Sequence, residues 1–174
     1  VGFPGSGKST LAKKIADHFD CHYLSSDKIR RELFDSTRFD TAGDKVISQQ
    51  SKQAYQVMYQ RAVNFYQKTE KTVLDATHLE TTKRMSRVKQ LTQKCNPSKI
   101  CYVLMKTPYE TIEKRMKLLS NKTLSAEETV YQAWQRVYNI FQQKQQKGLL
   151  SWPQKQPQSP INCFTNHEIE PLLA

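Results

Sequence analysis

The sequence predicts an α/β fold: a parallel sheet covered on both faces by helices, in one domain spanning residues 1–174. Three observations predict it. Helix-period and strand-like segments alternate along the chain, which implies βαβ crossovers and a three-layer arrangement. The longest apolar run, Ile100 to Met105, is six residues, the length of a buried strand. A glycine-rich turn at Gly2–Thr10 runs directly into the first helical pattern. A chain of 174 residues suits one core, burying about 70% of the unfolded surface.

Lys8 to Phe19 reads as a helix, with Leu11, Ile15 and Phe19 on one face. Cys21 to Leu24 is a short strand, and a second helix begins near Asp27. The polar stretch 35–44 reads as a loop. Lys45 to Gln67 carries Ala54, Val57, Met58, Ala62 and Phe65 at three- to four-residue spacing, a long amphipathic helix. Thr72-Val73-Leu74 is a buried strand ending at Asp75. Thr81 to Lys94 is a helix, Lys99 to Met105 a strand, and Pro108 to Leu118 a helix with proline in its first turn.

A polar break, Ser120 to Ser125, precedes a helix expected from Ala126 to about Gln146, with Ser125-Ala-Glu-Glu128 as a capping box. Residues 142–158, rich in Gln, Lys and Pro, read as a loose connection. Ile161 to Phe164 is a last strand, with Thr165 or Asn166 capping a short final helix. The chain does not begin with Met and its first residues already belong to a motif. A first strand is therefore expected before Val1.

Composition excludes several classes. Charged residues at 25% and hydrophobic residues at 37% fit a globular domain rather than a disordered tail. No apolar run approaches the roughly 20 residues of a transmembrane helix. The four cysteines form no CxxC pair and no metal-like group with the four histidines, which reads as reduced thiols in a cytoplasmic protein. The net charge of +11 favours polyanionic or phosphorylated partners. No spacing in the chain specifies an oligomeric state.

Gly2-Phe-Pro-Gly5-Ser6-Gly7-Lys8-Ser9-Thr10 matches the phosphate-binding pattern GxxxxGK[ST] without a mismatch. Glycines let successive backbone N–H groups turn inward where side chains would collide. The helix N-terminus adds about half a positive charge aimed at the same anion. Lys8 is expected to reach the β and γ phosphates of a bound ATP or GTP, and the Ser9 hydroxyl to ligate Mg²⁺.

Later segments add an acceptor side. Asp27 and Arg30 stand three apart at a helix start, just past a strand, where ligands of open α/β sheets sit. An aspartate there can take the proton of an attacking hydroxyl, and the arginine can hold an acceptor phosphate. Asp75-Ala-Thr77-His78 closes the third expected strand at the same edge; Asp75 is placed to organise Mg²⁺ or the substrate side. Arg115, followed by Lys117 and Lys122, suits a cationic lid over about 115–125 that neutralises developing charge.

GFPGSGKST, SSDKIRREL, VLDATHLE followed by Lys83 and Arg84, and TPYETIEKR occur in that order. The series resembles the P-loop polynucleotide kinase family, whose wider kin include zeta toxins, over residues 1 to about 140. The resemblance implies an adenylate-kinase-like P-loop kinase fold with a helical lid, and transfer of the γ-phosphate to a 5′-hydroxyl of RNA or DNA. It implies that Lys8 and Ser9 hold phosphates and Mg²⁺, that Asp27 is the general base, that Arg30 contacts the acceptor's phosphate, and that Asp75 and Thr77 support the acceptor side. His78 stands where the family often has Asn, and after Arg115 the chain offers only lysines until Arg136. Two other readings use the same motifs: a small-molecule kinase for a nucleotide sugar, sugar or antibiotic, and a nucleotide-binding regulatory module without kinase activity.

Overall fold

The order of helices and strands follows the expected alternation. A computed structural model of the chain describes residues 1–35, 44–95, 100–122, 128–153 and 161–173. Helix α1 (Lys8–His18) leads into strand β1 (His22–Ser25), then α2 (Ser26–Phe34) and α3 (Asp44–Gln67). Strand β2 (Thr72–Asp75) is followed by α4 (Thr81–Cys95), β3 (Ile100–Leu104), α5 (Tyr109–Lys117) and α6 (Val130–Gln146). Strand β4 (Ile161–Thr165), α7 (Asn166–Ile169) and a 3₁₀ turn (Glu170–Leu173) close the chain. Most of the loop expected at 35–44 lies outside the described residues.

The strands form two parallel pairs. β1 aligns with β2 from His22↔Thr72 to Ser25↔Asp75, and β3 with β4 from Ile100↔Ile161 to Leu104↔Thr165. The first two residues join them: Val1 N donates to Val103 O at 2.6 Å, Met105 N to Val1 O at 2.8 Å, and Gly2 N to Thr77 O at 3.2 Å. The Gly2 turn is thereby held between the carboxyl ends of β2 and β3.

Strand alternation distributes the helices. Leu24 packs into a buried cluster with Ile29, Ala54, Met58, Tyr59, Ala62 and Ala76, against α3. The hydroxyl of its neighbour Tyr23 lies near Ser9 of α1. Successive strand residues point to opposite faces, so α1 and α3 cover opposite sides of the sheet, and the α/β layering read from the sequence holds. A second cluster, Ile112, Met116, Trp134 and Tyr138, joins α5 to α6 and takes in Phe3 of the glycine-rich turn.

Two segments differ from expectation. The helix expected from Ala126 begins at Val130; residues 123–127, including Ser125 of the expected capping box, lie outside the described residues. Thr129 and Gln132 form the capping box that the structure has, because Thr129 directly precedes the buried stripe of Ala133, Trp134, Val137 and Tyr138. α6 ends at Gln146 as expected, but part of the expected loose connection beyond it is ordered by contacts: Leu150 is buried and bridged to Glu80. Arg84 is the reason. Its guanidinium, 5% exposed, donates to the carbonyls of His78 at 2.8 Å and Ser151 at 2.9 Å, pinning that segment to the β2–α4 turn. Residues 154–160 lie outside the described residues.

Candidate functional site

The phosphate-binding turn is shaped by two glycines and two neighbours. Gly5 and Gly7 have φ of +82° and +92°, where side-chain-bearing residues are strained. A Cβ on Gly5 would also meet Ile112 Cγ2 at 2.8 Å. Gly7 is the N-cap of α1 and supplies no side-chain cap, so the helix end keeps its positive dipole open to an anion. Trp134, fully buried, donates its indole N–H to Pro4 O at 3.1 Å, and Thr107 donates to Ser6 O at 2.9 Å. α6 and the loop after β3 thus hold the turn from beneath.

Lys8 Nζ donates to Phe3 O at 2.7 Å, curled over the turn. Ser9 and Thr10 are exposed at the start of α1. The hydroxyl of Ser6 is buried and finds no hydrogen-bond partner among the described residues. Such an orphan beside a glycine cradle fits a site whose remaining acceptors come with a ligand. These residues fit a nucleoside triphosphate: backbone amides and Lys8 for phosphate oxygens, and Ser9 with Asp75 for a hydrated Mg²⁺. Among the described residues, no group of three His, Cys, Asp or Glu side chains forms a metal cluster of its own.

Asp75 lies at the end of β2, 6% exposed, beside Ser25 in the register. Its Oδ2 accepts a 2.6 Å hydrogen bond from Tyr23, and its carbonyl accepts one from Ser26 Oγ at 3.4 Å. Ser9 also lies near the Tyr23 hydroxyl, so Ser9, Tyr23 and Asp75 form one cluster. Burial, reinforced by the bond to the Asp75 carboxylate, pushes the Tyr23 hydroxyl up to about 12.

Asp27 and Arg30 meet as their spacing predicts: Arg30 Nη1 lies 3.0 Å from Asp27 Oδ1. Arg30 is 2% exposed and also donates to Ser51 Oγ of α3 at 3.0 Å, while Asp27 remains partly open. Arg30 therefore ties α2 to α3 as well as holding Asp27. Thr77 is buried, its hydroxyl 3.3 Å from Tyr55 and its carbonyl on Gly2 N. His78 adopts φ of +50°, the left-handed region that Asn tolerates best, and its Nδ1 lies 3.3 Å from the Tyr59 hydroxyl. Burial, with the chain's amino group, Arg84, Lys8 and Arg87 nearby, lowers its pKa to about 3, so the ring is neutral near pH 7.

Arg115 is exposed on α5 and reaches the turn: its Nη1 would lie 3.4 Å from a Cβ on Gly7. Lys117 pairs instead with Glu113 at 3.3 Å, and Lys122 is exposed in the following turn. The remainder of the expected lid, 123–125, lies outside the described residues.

A family model described as AAA domain matches residues 1–143 of the chain. The chain belongs to the AAA domain family. The turn, α1 and the strand ends that build the site all lie inside the matched span. Among solved structures, this AAA domain protein is similar to one from Chloroflexus aurantiacus J-10-fl with a provisional kinase assignment. That match has a TM-score of 0.62 and 15% identity, over 94% of this chain and 81% of that one. It is also similar to a sugar kinase from Janibacter sp. HTCC2649, with a TM-score of 0.57 and 16% identity, over 99% and 86% of the two chains. At such identities the likeness establishes a shared P-loop kinase fold. No curated protein matches the chain.

A groove of about 400 Å³ lies elsewhere, between α3 and α4. Gln56, Tyr59, Gln60, Arg87, Gln90 and Lys94 are among those lining it, and none of its described lining residues is acidic. No described helix is long and apolar enough to cross a membrane.

Sequence reasoning missed two residues of the site. Tyr23 was legible only as one residue of a strand; its distance of two from Ser25 puts both on one face, but nothing local named Asp75 as its partner. Trp134 reads as one member of an apolar helical stripe, and its bond to Pro4, 130 residues away, leaves no mark in spacing.

Proposed function

We propose that this AAA domain protein is a P-loop kinase that transfers the γ-phosphate of ATP or GTP to a hydroxyl, that of a 5′-hydroxyl end of RNA or DNA being the acceptor it suits best. One observation carries the reading: a partly open carboxylate, Asp27, held at 3.0 Å by the buried Arg30 just past the carboxyl end of β1. A nucleotide switch has no need of an aspartate fixed there.

In this mechanism the turn's amides and Lys8 hold the donor's phosphates, with Lys8 leaving Phe3 O for a β- or γ-oxygen. The acceptor oxygen forms a bond to the γ-phosphorus as the bond from phosphorus to the β-bridging oxygen breaks. The hydroxyl proton passes to the Asp27 carboxylate, and the nucleoside diphosphate leaves. Arg30 keeps Asp27 aimed and supplies positive charge on the acceptor side. Arg115, beside Gly7, offers its guanidinium to the transferring group. Mg²⁺, held through Ser9 and Asp75, would supply charge neutralisation between the phosphates. Catalysis rests on alignment and on cancelling charge rather than on covalent chemistry.

The +11 charge and the acid-free groove lined by Arg87 and Lys94 favour a polyanionic acceptor. A second reading, a small-molecule kinase, draws on the fold it shares with a sugar kinase. A transfer assay with labelled ATP or GTP on 5′-hydroxyl RNA, 5′-hydroxyl DNA, sugars and nucleotide sugars separates them. The proposal expects label on the oligonucleotides and a loss of about 10²–10⁴-fold in kcat for Asp27→Ala, with nucleotide affinity kept within about twofold. Label only on small molecules establishes the second reading, and label on no acceptor overturns both.

A further inference from the structure

Tyr23 belongs to no recognised motif, yet its hydroxyl bonds Asp75 and lies near Ser9, the two side chains best placed for a metal. Along β1, Tyr23 and Ser25 share a face, and Ser25 is the register partner of Asp75. Two residues of strand span about 6.6 Å, the reach of a tyrosine side chain leaning along it, so the ring runs from the strand's middle to the carboxyl edge. There the O–H donates to Asp75 Oδ2 at 2.6 Å, with Ser25 and Ser9 nearby. Lys28 Nζ lies 5.1 Å from the ring centroid and braces its face.

A carboxylate as enclosed as Asp75 needs a donor, and a bond this short to an ionised oxygen is among the stronger kinds. It also fixes the carboxylate's torsion. With Oδ2 engaged, Oδ1 is the oxygen left to face a hydrated cation next to Ser9. We propose that Tyr23 is a positioning residue for divalent-cation binding: its hydroxyl locks Asp75 in the orientation that receives Mg²⁺ with the nucleotide. The assignment rests on the nucleotide–metal part of the kinase reading. Partners that orient ligating carboxylates characteristically control metal affinity by 10- to 100-fold.

Tyr23→Phe keeps the ring and its contact with Lys28 while deleting the hydroxyl. The test measures Mn²⁺ binding, by electron paramagnetic resonance of free Mn²⁺, to the chain saturated with the non-hydrolysable analogue AMP-PNP. It also measures metal-free AMP-PNP affinity and thermal stability. The expected result is Mn²⁺ binding weakened about 10-fold or more with metal-free AMP-PNP affinity unchanged. Asp75→Asn and the double variant complete a cycle, in which Tyr23→Phe costs little further once Asp75 is gone. Lower stability with unchanged Mn²⁺ affinity means that Tyr23 only satisfies a buried carboxylate and overturns the assignment. So does tighter Mn²⁺ binding, which would make the hydroxyl a competitor for the site. A wild-type chain that binds AMP-PNP but takes up no Mn²⁺ overturns the metal part of the kinase reading together with this one.

Discussion

Replacing Trp134 by phenylalanine tests whether α6 shapes the phosphate-binding turn. The indole N–H donates to Pro4 O at 3.1 Å inside the protein, and the side chain is fully buried against Tyr109, Tyr131 and Tyr138. Phenylalanine keeps much of the ring packing but leaves the Pro4 carbonyl without this donor, at a cost of about 1–3 kcal/mol. The lost pyrrole portion removes roughly 40 Å² of buried contact, about 1 kcal/mol more. A total near 3 kcal/mol lowers Tm by about 6–12 °C for a chain of this size. Because the freed carbonyl is in the turn itself, nucleotide affinity should fall as well. If re-ordering the turn costs about 1.4 kcal/mol, Kd rises about tenfold. Differential scanning calorimetry and titration with a fluorescent ATP analogue read the two effects. A fall in Tm with unchanged Kd would refute the link between Trp134 and the turn, and an unchanged Tm would refute the packing analysis altogether.

Gly5→Ala combines a φ of +82° with a Cβ contact of 2.8 Å to Ile112, so nucleotide binding should be lost while far-ultraviolet circular dichroism stays helical. His78 is held neutral down to about pH 3, whereas in the unfolded chain it protonates near 6.5. The unfolded state thus binds the extra proton between those values, and stability should fall as pH drops through that window, by up to about 1.4 kcal/mol per pH unit from this group. His78→Asn, which tolerates the φ of +50°, should flatten that slope in urea melts at pH 7, 6 and 5. Arg84→Leu strips the donors from the carbonyls of His78 and Ser151 and should destabilise by about 3 kcal/mol or more, with faster amide exchange at Leu149–Ser151. Arg115→Ala should weaken nucleotide binding severalfold without moving Tm, since that side chain is exposed; unchanged affinity would remove it from the site.

The sequence by itself determined the glycine turn, the alternation of strands and helices and the positions of Asp27 and Asp75 at strand ends, because each is local. A helix start and a strand end are written in neighbouring residues, and a turn with φ near +80° to +90°, as at Gly5 and Gly7, favours glycine. The pairing of Asp27 with Arg30 was legible for the same reason, since three residues on a helix share a face. What only the tertiary structure decided is who stands behind those residues. Arg30 reaches Ser51, Arg84 closes over Ser151, Trp134 supports Pro4 and Tyr23 meets Asp75, across separations of 21, 67, 130 and 52 positions. Periodicity registers that such side chains are buried, but burial is a property of one residue and contact a property of two. The start of α6 was misplaced for a related reason: Ser125 and Thr129 both suit a cap, and the packed stripe from Ala133 onward selects the second. Local chemistry thus specified the groups able to hold a phosphate, and long-range packing specified the shell that fixes their aim.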